Sequence, residues 1–162
     1  MKRKTAFLGM FLALALICSY VESLIPFYFG IPGVKLGLAN IVTVLMLYGI
    51  GAKEAFCVSV ARILLAGFLF GNPFSILYSL SGGILSFFAM LCLKSIGTFH
   101  LVSVSVAGGI FHNIGQLAAP AIAVETYNLV YYSPILLFAG FLTGFLIGIL
   151  AQELLRRLNG YL

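Results

Sequence analysis

The chain has 162 residues, of which 62% are hydrophobic and only 8% charged. Soluble domains carry about 25% charged residues, so this chain lacks the polar surface a water-soluble globule needs, and composition places it in a membrane. Apolar segments recur along its whole length, which excludes a single secretory leader; the formal charge of +5 then reads as membrane orientation, with no nucleic acid implied.

A helix needs about 20 apolar residues to span the hydrocarbon core. Six helices are expected in one integral membrane domain, all-α and polytopic, over residues 1–162. The first covers 5–24 and is closed by Pro26. The second, 36–50, is short and ended by Gly51. The third, 53–70, stops at the 71-GNP-73 turn. The fourth covers 74–93, the fifth 101–124 and the sixth 133–155. With the N-terminus inside, Lys2, Arg3, Lys4, Lys53, Lys94, Arg156 and Arg157 are cytoplasmic, as the positive-inside rule requires. Both termini are then cytoplasmic. Lys35, on the outer side, and Arg62, within the third helix, are the two basic residues left over.

Cys18, Cys57 and Cys92 fall inside apolar segments and form no CxxC pair, so neither a disulfide framework nor a metal site is expected. The acids are Glu22, Glu54, Glu125 and Glu153, and Asp is absent.

Placed by depth, Glu22, Lys35, Asn40, Arg62, Asn72, His112, Asn113 and Gln116 all fall between the midplane and the outer surface. An ionisable group at the bilayer centre costs about 2.5–3.5 kcal/mol on insertion scales. Arg62 is therefore expected to face the bundle interior, towards a carboxylate or a ligand, with Glu22 as the candidate ion-pair partner. Lys35, Asn40, Arg62, Asn72, His112, Asn113 and Gln116 are the candidate substrate-binding residues. Read singly, each also serves as interhelical hydrogen-bonding glue; read together they point to an outward-facing polar pocket.

Gly82, Gly83, Gly108, Gly109 and Gly115 are read as letting the fourth and fifth helices approach closely, the alternative being backbone room for a ligand. On the first helix, Gly9 with Ala13, and Ala15 with Ser19, have the spacing of small residues at helix–helix contacts. Either pair suits internal packing or docking of another membrane subunit. Phe27, Tyr28 and Phe29, with Tyr127, Tyr131 and Tyr132, read as interfacial aromatics, or as a lid over the pocket.

The runs 26-PFYFGIPGVKLGLANIVT-43, 62-RILLAGFLFGNPFSILYSLSGG-83 and 107-AGGIFHNIGQ-116 resemble the small bacterial membrane proteins of the Gx transporter family, which also carries the label heptaprenyl diphosphate synthase component I. That architecture is similar to the substrate-binding S-components of energy-coupling-factor vitamin transporters. The resemblance implies a six-helix protein of the bacterial plasma membrane. It also implies a pocket near the outer face and a first helix that meets a transmembrane coupling subunit, driven by ATPases. Gly9 and Ala13 are the candidate docking residues.

The two labels make different chemical demands. A prenyl diphosphate synthase holds the leaving diphosphate through Mg²⁺, a hard cation that takes carboxylate oxygens. A chain with no Asp and no paired Glu cannot build that site alone, and no HExxH, GxSxG or P-loop is present. The expectation is a binding subunit without a cofactor. Its ligand is a small metabolite, anionic or zwitterionic, such as a vitamin or an isoprenoid precursor. The alternative is a non-catalytic membrane component of a heptaprenyl diphosphate synthase system. A secondary transporter or a lipid-headgroup binder would draw on the same residues.

Overall fold

The computed structural model describes residues 2–24, 37–123 and 133–158. Among these residues there are six helices and no strand: α1 Lys2–Leu24, α2 Asn40–Gly49, α3 Ala52–Phe70, α4 Pro73–Ile96, α5 Leu101–Ala123 and α6 Ser133–Leu158. Four of them contain stretches long and apolar enough to cross a membrane: Thr5–Leu24, Pro73–Ile96, Leu101–Ala118 and Ser133–Leu158. The outer surface is built for the same solvent. Phe68, Phe74, Phe138 and Leu69 are each more than 60% exposed, a disposition that water would penalise and lipid does not.

Not all six expected spans are alike. α2 has ten residues, a rise of about 15 Å against a core about 30 Å thick. Its expected start at residue 36 gives way to Asn40. Gly37 sits at φ 71, the left-handed region that glycine enters without cost, and the Asn40 N–H closes a turn onto the Gly37 carbonyl at 2.8 Å. That turn delays the helix. Within α2, Val42 to Leu47 are buried residue after residue, which is how a helix apolar all round behaves. Met46 and Leu47 are fully buried at the centre of the core, packed among Phe11, Val58, Phe87, Val104 and Ile147. The carbonyl end of this short helix is tied down by Lys94, whose Nζ donates to the Leu47 carbonyl and lies 4.8 Å from the centre of the Tyr48 ring.

α4, α5 and α6 form an antiparallel layer held by glycines. A Cβ on Gly109 would lie 2.2 Å from the Gly140 carbonyl oxygen, and one on Gly115 2.7 Å from the Gly82 Cα. On α6, Gly140, Gly144 and Gly148 make a ridge at i, i+4, i+8 that seats the α5 backbone from Gly109 back to Val102. Gly82, Gly108 and Gly115 stand in the α4–α5 contact as expected, whereas Gly109 meets Gly140 of α6 and Gly83 backs onto Ile63 of α3. Gly97, at φ 77, ends α4 three residues beyond its expected close.

α1 is the loosest element. It packs mainly along α3, its Tyr20 ring 5.1 Å from that of Phe70. Of the two small-residue pairs, Ala15 turns inward, 2% exposed, and Ser19 on the same face meets Arg62. Gly9 and Ala13 lie on the exposed side, with nothing within 4 Å of where a Gly9 Cβ would stand.

A polar cavity at one end of the bundle

Helix direction gathers the polar residues. α1 and α3 end where α2 and α4 begin, and a cavity of about 200 Å³ lies there, lined from α1 by Ser19, Glu22 and Ser23, from α2 by Asn40, from α3 by the face that carries Arg62, Ala66 and Phe70, from α4 by Ser75 and Ser79, and from α5 by His112. The opposite end carries Lys53 at the start of α3, Lys94 late in α4, and Arg156 and Arg157 at the end of α6. There Glu153 pairs with Arg156 and Arg157 at 3.2 and 2.8 Å.

Arg62 sits in the wall of the cavity and is only 8% exposed. Its Nη1 reaches Ser19 Oγ at 3.4 Å, and its Nε has no hydrogen-bond partner among the described residues. Glu22 acts on it electrostatically, while the Glu22 carboxylate accepts the Gly37 N–H and so ties the end of α1 to the turn before α2. Glu22 and Arg62, the expected ion pair, line the same cavity, where Arg62 also reaches Ser19. His112 is buried at 7% exposure, with its ring against Gly82.

The structure brings Glu22, Asn40, Arg62 and His112 to this one cavity. Three other candidates lie elsewhere. Asn72 is exposed and caps α4: its Oδ1 accepts the Ser75 N–H at 2.8 Å, and Ser75 Oγ accepts the Asn72 N–H at 3.1 Å. Asn113 is buried and donates from Nδ2 to the Leu136 carbonyl at 2.6 Å, bridging α5 to α6. Gln116 is half-buried, its Cγ beside Gly82. Lys35, with the aromatic residues at 27–29 and at 127, 131 and 132, lies outside the described residues.

Sequence reading passed over the serines. Ser19 stands one turn before Glu22, and Ser75 and Ser79 are four apart on α4, so that each set shares a helix face. That spacing was the available signal, and common residues at common spacings made it faint. No group of three or more His, Cys, Asp or Glu placed to hold a metal occurs among the described residues.

Long apolar helices, a lipid-suited exterior and a polar cavity at one end define a helical membrane protein. The chain belongs to the heptaprenyl diphosphate synthase component I family, whose model matches residues 11–154. No curated protein and no solved structure matches it.

Proposed function

We propose that this chain is the membrane-embedded binding subunit of a transporter for a small metabolite. The observation that carries this reading is the cavity: polar side chains from five helices converge at one end of the bundle, and a guanidinium is buried in the wall. Binding sites are concave and mostly apolar, with a few convergent polar groups. The described walls enclose about 200 Å³, below the roughly 300 Å³ at which pockets for drug-sized ligands begin. The ligand is small, or enters by one end.

In this reading the chain crosses the bacterial membrane with six helices, α2 and α3 included, and with both termini cytoplasmic. The basic end lies inside and the cavity opens outwards. Lacking a P-loop, the chain relies on a transmembrane coupling subunit and ATPases for energy.

The family's description supports a second reading, a membrane component of a heptaprenyl diphosphate synthase. With no Asp in the sequence, the chain would then be a non-catalytic partner, because Mg²⁺-diphosphate chemistry calls for clustered carboxylates. Extraction of the tagged chain from its own host's membranes, with its protein partners identified by mass spectrometry, separates the two. Recovery with an ATPase pair and a membrane coupling subunit supports the transporter. Recovery with a soluble, Asp-rich prenyl synthase replaces it with the second reading.

A further inference from the structure

We propose that the cavity is an oxyanion seat, in which one carboxylate or phosphate group of the ligand docks against the Arg62 guanidinium at the N-terminal end of α2. This rests on the binding-subunit reading and names the chemistry of its ligand.

The first observation is the state of Arg62. A guanidinium offers five N–H donors in a fixed fork. Here the residue is only 8% exposed, yet among the described residues Nε has no hydrogen-bond partner and the one contact of Nη1 is to Ser19 Oγ at 3.4 Å. A buried cation whose donors are left unmade is costly. An oxyanion matches the fork with two parallel, charge-assisted hydrogen bonds, so a ligand that brings one recovers what the empty site forfeits.

The second observation is α2. Asn40 is its first residue and lines the same cavity. The aligned peptide dipoles of a helix place about half a positive charge at its N-terminus, and helix ends within a membrane protein are ready anion sites. At ten residues α2 is long enough to develop that dipole, and its cap residue, Ala39, supplies no side-chain oxygen; its first N–H groups already close onto the Gly37, Leu38 and Ala39 carbonyls and Glu22 holds the Gly37 N–H, so α2 offers the field of its dipole rather than free donors. The Gly37 turn brings the backbone against the cavity wall.

Glu22 limits the ligand's charge. It is the one carboxylate among the described lining residues and already draws on the field of Arg62. A ligand bearing several negative charges would be repelled by it, whereas one with a single oxyanion and an otherwise neutral body is accommodated.

The test uses the full chain, purified in detergent micelles doped with phosphatidylcholine. Inorganic phosphate and acetate are the probes, compared with chloride at fixed ionic strength. At least one probe is expected to raise the melting temperature saturably. Arg62→Gln should abolish that response. Asn40→Asp should raise the midpoint concentration by about tenfold through charge repulsion while preserving the ligand-free melting temperature, since an acid at a helix N-terminus favours the helix. The second variant decides the matter where the first fails to fold. Absence of any response beyond chloride, or an undiminished response in Asn40→Asp, overturns the oxyanion seat. If a neutral or cationic compound is then recovered with the wild-type chain from its host's membranes, the binding-subunit reading survives the loss; if no compound is recovered, both fall. A phosphate response that persists when phosphatidylglycerol is added assigns the oxyanion to a soluble ligand, and one that this lipid abolishes assigns it to a headgroup.

Discussion

The Asn113 amide donates to the Leu136 carbonyl across the α5–α6 contact from a position only 5% exposed. The amide lies against α6, where a Cβ on Gly140 would stand 2.8 Å from Asn113 Nδ2. In membrane proteins such interhelical bonds contribute about 0.6–2 kcal/mol. Asn113→Ala should therefore lower stability by about 1 kcal/mol, read as an earlier midpoint when micelles of the purified protein are titrated with SDS. An unchanged midpoint would mean that the bond contributes nothing net. Arg62 differs in kind. Arg62 is also buried, but it lines the cavity and its Nε has no hydrogen-bond partner among the described residues.

Elements explain where the other polar residues went. Asn72 sits between α3 and α4, and its side chain and that of Ser75 satisfy each other's backbone N–H in a capping box, with Pro73 in the first turn. Loss of such a cap costs about 1 kcal/mol. Asn72→Ala should show that loss in the same SDS titration while the cavity keeps its anion response; disappearance of the response with stability intact would restore Asn72 as a ligand contact. α2 depends on an ending supplied from outside. The Lys94 ammonium satisfies the Leu47 carbonyl and lies over the Tyr48 ring. A cation at a helix C-terminus contributes about 0.3–1 kcal/mol, and a cation–π contact a similar amount. Lys94→Met should loosen α2 by about 1–2 kcal/mol. Faster hydrogen exchange at Ile50 and Gly51, which both donate to the Met46 carbonyl, would report it. Exchange unchanged from wild type would show that core packing alone holds the helix.

At the scale of the whole molecule, the exposed side of α1 is where the proposed coupling subunit would dock. Gly9 and Ala13 touch nothing that the fold needs, whereas Ala15 and Ser19, on the inward side, pack and hydrogen-bond. The double change Gly9→Leu with Ala13→Leu should leave the melting temperature within about 1 °C of wild type, as expected of surface substitutions. It should also reduce recovery of a membrane coupling subunit in the co-purification. Full recovery of that partner with both leucines in place would remove this face from the docking proposal.

The membrane class was legible in composition, and the six helices in the apolar runs, α2 being shorter than expected. α3, α4 and α5 begin within a residue of where the 71-GNP-73 turn and the glycines placed them. The physical reason is that bilayer thickness and backbone hydrogen bonding act on every residue locally, and sequence records local constraints directly. Glu22, Asn40, Arg62 and His112 were likewise visible as groups too polar for their depth. What the sequence could not resolve was the partner of each polar group. Asn72, Asn113 and Gln116 had the same composition and depth as the cavity residues, yet one caps a helix, one bridges two helices and one lies against Gly82. The length of α2 was also hidden, because it turns on the left-handed Gly37 and on core positions contributed by other helices. Sequence by itself determined the solvent, the helices and the inventory of polar side chains. Only the tertiary structure decided which of them face a cavity and which face a backbone, because that depends on helix rotation and on neighbours distant in the chain.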